Sequence, residues 1–168
     1  MEHVSVSGPE DTIGYAKNFK GDVRTTVAIP STVHNAISSL ALKNEVGMYK
    51  MENFNQGTYS VQYRFIIHPP LEYDDSNAHF NFMLLDEHVP IQNLMIEVPS
   101  EPVVKVYCTP DTLHVAKNGN SLYITGTGLK DDRINLEFLL QKEILQQMDG
   151  FPQFVSNVEG RMDSTYKL

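Results

Sequence analysis

"TLHVAKNGNSLYITG", residues 112–126, decides the fold class. Asn118-Gly119 is the pair a two-residue type I′ turn favours, because both central positions of that turn need positive φ. With this pair at the tip, Lys117 opposes Asn120, Val115 opposes Leu122 and Leu113 opposes Ile124. The last two pairs each place two apolar side chains on one face. The segment therefore reads as an antiparallel hairpin with one buried side.

The same period of two extends outward from the hairpin. Downstream, "GTGLKDD" turns the chain and "RINLEFLL" (133–140) directs Ile134, Leu136, Phe138 and Leu140 inward. Upstream lie "VVKVYCT" (103–109) and "IQNLMIEV" (91–98), the latter with Leu94, Ile96 and Val98 alternating between Pro90 and Pro99. Proline cannot donate to a sheet ladder, so the two prolines bound that strand. "HFNFMLL" (79–85) points Phe80, Phe82 and Leu84 inward, and "LEYDDSN" before it reads as an acidic connection. "TYSVQYRFIIH" (58–68) carries the clearest alternation, and it predicts that Tyr59, Val61, Tyr63, Phe65 and Ile67 face a core.

The ends of the chain carry weaker patterns. Residues 1–22 are polar, broken at Gly8-Pro9 and Gly21, and read as an extended arm with one weak edge strand, "HVSVS". "VRTTVAIP" (23–30) is the first credible strand. The following segment, to residue 55, does not decide between two strands and a short helical turn, and the reading favours strands near 38–44 and 48–54. "QKEILQQMD" (141–149) is the one good helix, with Ile144, Leu145 and Met148 as its stripe and Gly150 as a C′ stop. A strand around 153–158 precedes the end of the chain. The expected fold is all-β with a minor short helix, an immunoglobulin-like antiparallel β-sandwich of about seven to nine strands. It forms a single domain over 23–158, after an N-terminal arm (1–22) and before a C-terminal tail (159–168).

Composition narrows the function classes. Thirteen basic against twenty-one acidic residues give a net charge of -8, with a pI near 5.1, so the long-range field repels nucleic-acid backbones and no nucleic-acid partner is expected. No apolar run reaches the roughly 18 residues of a membrane-spanning helix and the N-terminus has no signal-peptide pattern, so this chain is expected to be soluble by itself. Met1 is compatible with a native start or with one added to a segment of a longer chain. A single cysteine, Cys108, excludes an internal disulfide, and its shared face with Val104 and Val106 predicts a buried core thiol rather than a nucleophile.

The residues offer few sites. The best metal-ligating set is His68, Asp74, Asp75, His79 and His88, with Glu72 beside them; it would need a strand exit and a strand start to converge. A solvated acidic loop with surface histidines is the competing reading. Paired carboxylates such as Asp74 with Glu87 or Glu97 are marked by no motif, and there is no Gly-x-Ser-x-Gly, His-Glu-x-x-His or phosphate loop. Tyr107 and Tyr123 each lie opposite the main apolar face of their strand, which makes them the candidate binding aromatics, for a sugar or a protein, unless the tail or a partner covers them.

"GTYSVQYRFIIHPPLEYDDSNAHFNFMLLDEHVPIQNLMIEVP" (57–99) runs from a Gly-Thr-Tyr strand through an acidic stretch and an aromatic-rich strand to Pro-Ile-x-Asn, alternating apolars and a closing Val-Pro. In this order, with the hairpin and the strand at 133–140 following, the chain resembles the extracytoplasmic domain of a family of predicted prokaryotic membrane proteins, domain of unknown function 2207. The resemblance covers about residues 23–140. It implies a β-sandwich outside the cell, attached through membrane segments absent from this chain, and it carries no catalytic residues.

The expected function is thus a noncatalytic interaction or sensory domain that binds a protein or an envelope glycan through strand edges or loops. No cofactor is called for. The alternatives are a carbohydrate-binding module of the same fold, which an exposed line of Tyr107 and Tyr123 would favour, and a metal-dependent hydrolase built on the His68–His88 region. Pro99 and Pro102 guard strand edges, so a monomer or weak dimer is expected.

Overall fold

The computed structural model describes residues 2–86, 89–130 and 133–166. Among them, thirteen strands and two α-helices make an all-β architecture in which every strand pair but one is antiparallel. Two compact units divide the chain, Met1–Ile67 and His68–Leu168.

In the first unit, β1 (Glu2–Ser7) pairs with β5 (Gln62–Ile66) as a two-stranded ribbon. A three-stranded sheet has β2 (Thr12–Lys17) at its centre, between β3 (Val23–Thr25) and β4 (Glu45–Lys50). Residues 1–22 are therefore no free arm, since they supply β1 and β2. A helix, α1 (Ser31–Leu40), replaces the strand expected near 38–44. The reason is a stripe: Val33, Ile37 and Ala41 are four residues apart and all buried, with Ile13, Tyr15 and Tyr49 packed on them. Lys17 of β2 caps the end of α1, its Nζ donating to the carbonyls of Ser38 at 2.7 Å and Ala41 at 2.8 Å, where a cation also suits the helix dipole.

The second unit holds the sandwich. Its five-stranded sheet runs β13 (Phe151–Phe154), β6 (Pro70–Tyr73), β7 (Asn77–Leu85), β12 (Ile134–Gln141), β9 (Val103–Thr109). The three-stranded sheet runs β10 (His114–Asn118), β11 (Ser121–Leu129), β8 (Ile91–Pro99). Leu136, Phe138 and Leu140 from the first sheet share one core with Leu122 and Ile124 from the second. These eight strands fall within the expected seven to nine, and β8 begins after Pro90 and ends at Pro99 on a sheet edge, where prolines are tolerated.

Two registers differ from the sequence reading. Asn118 pairs with Ser121 and Val115 with Ile124, so the two loop residues are Gly119 and Asn120. Only Gly119 in this turn takes positive φ, 59°, and a loop needing one such residue puts glycine first, as in a type II′ turn. The shift from the expected pairing moves each partner by two, an even step, so Leu122 and Ile124 keep their buried face. In β9, the pairing with β12 shifts between Leu139 and Leu140, a bulge that turns Val104 outward (54% exposed) while Val103 and Val106 reach the core.

The segment 141–149 forms only a short 3₁₀ helix, Lys142–Gln146, whose Ile144 and Leu145 pack against the core together with Met148 just after it. Gly150 serves a different purpose from a left-handed stop: a Cβ there would lie 2.6 Å from the Pro69 carbonyl oxygen, the atom that accepts the Phe151 N–H and opens the parallel β13–β6 pairing. The expected C-terminal tail is a helix, α2 (Val158–Tyr166), and its Val158 and Met162 bury against Leu139 on the outer face of the five-stranded sheet.

Candidate functional site

Strand β12, interior to the five-stranded sheet between β7 and β9, is buried on both faces because α2 covers its outer side. That covered face is polar beside Leu139. Cross-strand pairing aligns Glu72, His79, Leu139 and Lys105 in one row, and Asn81, Glu137 and Tyr107 in the next. Arg161 of α2 reaches Glu72 (Nη2 to Oε1, 3.1 Å), and Lys105 reaches both Glu159 (2.9 Å) and Asp163 (3.0 Å). The Glu159 and Asp163 carboxylates hold the Lys105 ammonium above its ordinary range. Tyr107 donates its hydroxyl to Asp163 at 2.7 Å, which raises its phenol pKa.

A cavity of about 380 Å³ opens beside this helix, lined among others by Leu71, Glu72, His79, Asn81, Glu137 and Arg161. Glu137 is 4% exposed. Its Oε1 accepts the Asn81 amide at 2.7 Å, but its Oε2 has no hydrogen-bond partner, and neither has Nε2 of His79, 3.8 Å away. On the other side of the ring, His79 Nδ1 faces Glu72 Oε2 at 3.5 Å.

Among the expected metal ligands only His79 lies in this constellation, with Glu72. His68 is turned to Asp149, its Nδ1 3.0 Å from the carbonyl oxygen and 3.4 Å from Oδ2. Asp74 is a structural anchor: its carboxylate accepts the N–H groups of Ser76, Asn77 and Val158 at 2.8–2.9 Å, tying the β6–β7 turn to the first turn of α2. Those three bonds hold its pKa below the usual carboxylate range. Asp75 is exposed, and His88 and Glu87 lie outside the described residues. Among the described residues, no three His, Cys, Asp or Glu side chains converge in a way that could hold a metal ion.

Tyr107 and Tyr123 do not form one platform. Tyr107 belongs to the five-stranded sheet and packs with Leu139, Val158 and Met162 under α2. Tyr123 belongs to the three-stranded sheet and donates to Glu97 of β8 at 3.0 Å. Cys108 is buried in the sandwich core, where desolvation pushes its thiol up to about 11. Glu137 and Arg161 were not marked by the sequence: Glu137 is simply the polar position of an alternating strand, and only the covering helix makes it buried.

One more surface stands out, in the first unit. Tyr59, Val61, Tyr63 and Phe65, the face expected to be a core, are 43%, 42%, 41% and 37% exposed. Tyr63 and Phe65 lie in β5 (Gln62–Ile66), which is paired on one edge to β1, and Tyr59 and Val61 precede it.

Neither the curated proteins nor the solved structures contain a match to the chain. No helix among the described residues is long and apolar enough to cross a membrane. Residues 3–139, which run from β1 into β12 and take in Glu72, His79 and Glu137 but not α2, match the family described as predicted membrane protein (DUF2207) N-terminal domain, and the chain belongs to that family.

Proposed function

We propose that this is a noncatalytic interaction or sensory domain, displayed on the extracytoplasmic side of a membrane by segments outside this chain, that docks a protein partner through strand β5. The observation that supports it is the aromatic, solvent-facing strand itself. Tyr63 and Phe65 on β5, with Tyr59 and Val61 just before it, are exposed, and among the described residues one backbone edge of β5 has no partner strand. Such an edge is a template for strand addition, in which backbone bonds supply affinity and alternate side chains supply selectivity.

Two experiments on the membrane protein carrying this domain test the reading. Phe65 replaced by a photo-crosslinking phenylalanine is expected to give a discrete protein adduct on irradiation of cells, absent from the same replacement at exposed Phe19. Equal adducts at both positions, a glycan adduct, or none overturns the protein-docking reading. For sidedness, a membrane-impermeant maleimide is expected to label Lys117→Cys in intact cells; labelling only after lysis places the domain on the other side. Cys108 gives no background, being buried with a raised thiol pKa.

A further inference from the structure

The first unit carries its charge differently from the second. Residues 1–67 hold six basic and six acidic side chains, so the net charge of -8 belongs wholly to residues 68–168. An anionic surface therefore repels the second unit and not the first. Within the first unit, one end of the β2 sheet gathers exposed apolar side chains away from β5. Lys17, the last residue of β2, pairs with Val23 and with Glu45, so the β2–β3 loop and the chain entering β4 both lie at this end. The Lys17 ammonium holds the close of α1 there as well, through the carbonyls of Ser38 and Ala41. Phe19, Leu40 and Leu42 are 63%, 72% and 60% exposed at this end. Each of its two loops follows an apolar residue with an exposed lysine, Phe19-Lys20 and Leu42-Lys43. Among the described residues neither lysine has a carboxylate partner, and Lys20 lies over the Phe19 ring, 5.6 Å from its centroid. The carboxylates at this end are held by the fold: Asp22 accepts the Asn18 amide at 2.9 Å, and Glu45 accepts the Leu42 N–H at 2.8 Å and the Tyr15 hydroxyl.

We propose that this end of the first unit docks on an anionic lipid bilayer, with Phe19, Leu40 and Leu42 entering the headgroup layer and Lys20 and Lys43 pairing with lipid phosphates. Single exposed apolar side chains are ordinary, but three at one end with unmatched lysines beside them combine the two attractions that hold a protein on a membrane surface. The chain belongs to a family of predicted membrane proteins, so a bilayer is within reach, and a contact too weak to act alone is strengthened by the tether. A second copy of the chain is the poorer occupant, since self-docking through the same patch sets its cations against their own kind.

The 168-residue chain has no tryptophan, so Phe19→Trp reports from one loop and Leu42→Trp independently from the other. With vesicles of equal phosphatidylglycerol and phosphatidylcholine at low salt, each is expected to shift its emission to the blue and to be quenched by brominated lipid chains. Vesicles of phosphatidylcholine alone should bind at least tenfold more weakly. Phe151→Trp, at a comparably exposed position of the second unit, should show no shift. In the Phe19→Trp chain, Lys20→Glu together with Lys43→Glu should lower the vesicle partition at least tenfold, since each lysine near an anionic surface contributes about fivefold. No shift at either reporter, an equal shift at Phe151→Trp, equal binding to phosphatidylcholine, or an unchanged partition after charge reversal overturns the proposal. A blue shift that grows with protein concentration in the absence of vesicles assigns this end to a second copy and overturns it as well. Neither result touches the β5 reading, which rests on a different edge.

Discussion

Ile124 and Leu136 of the second unit are 0% and 2% exposed, whereas Tyr63 and Phe65 of the first are 41% and 37% exposed, although all four sit on strands of comparable alternation. What separates them is the layer opposite. In the sandwich, each sheet supplies the apolar surface that the other needs, and α2 gives the five-stranded sheet a second cover. In the first unit, the described core is Val33, Ile37 and Ala41 of α1 against the β2 sheet, and the β1–β5 ribbon lies outside that cluster. A period of two fixes which residues share a face, and a second layer alone makes that face a core.

The comparison breaks most directly at Leu136. Leu136→Ala removes a side chain from the centre of the sandwich and is expected to cost about 3–5 kcal/mol of the second unit's stability, measured by urea denaturation. A loss under about 1 kcal/mol would mean that the two sheets do not close on each other as tightly as their burial implies. Next in size is the helical cover. Met162 is 1% exposed on the outer face, and Met162→Ala should cost about 2–4 kcal/mol and open α2 to limited proteolysis. Proteolysis unchanged from the parent would show that the ion pairs of Lys105 and Arg161, rather than packing, hold the helix.

Asp74 sharpens the same point at the helix start. Loss of its three backbone bonds in Asp74→Ala should cost about 1–2 kcal/mol. The pH dependence follows from the lowered carboxyl pKa. A depressed folded-state value gives stabilisation that is complete above the unfolded value, near 3.8, and is lost as pH falls through the folded one. Acid unfolding followed by circular dichroism should thus show a component below about pH 4 that Asp74→Ala lacks. An identical acid limb in both proteins would remove Asp74 as the anchor of α2.

Several strands of the sandwich were legible because proline, Asn-Gly and alternation bound them locally: β9 spans the expected residues, and β8 exceeds its expectation only by Pro99, whereas β6 (Pro70–Tyr73) lies where an acidic connection is expected and β13 (Phe151–Phe154) starts before the strand expected around 153–158. The helices were not, for different reasons. The stripe of Val33, Ile37 and Ala41 is present in the sequence but interleaved with residues that also fit short strands. In α2 only Val158 and Met162 mark the buried side, and the remaining hold comes from Lys105, Tyr107, Glu72 and Asp74, far away along the chain. The cavity was half legible. His79 and Glu72 stand out in the sequence as titratable groups near an acidic loop, but the burial of Glu137 depends on a helix where the sequence predicts only a tail.

The smallest expected effect is the most informative about β5. If the face of Tyr59, Val61, Tyr63 and Phe65 is a docking surface and not a core, Phe65→Ser should leave the isolated chain's stability within about 0.5 kcal/mol of the parent, as for other exposed positions. The same substitution placed in a sandwich strand, at Phe138, should cost about 3 kcal/mol or more, because a serine hydroxyl would also be buried there. Partner binding reverses the order: Phe65→Ser should weaken the complex at least tenfold, whereas a folded Phe138 variant should leave the β5 contact intact. A stability loss above about 2 kcal/mol at Phe65 would mean that this ribbon packs against something within the chain itself, and the contrast between the units would then lie in how firmly each apolar face is covered.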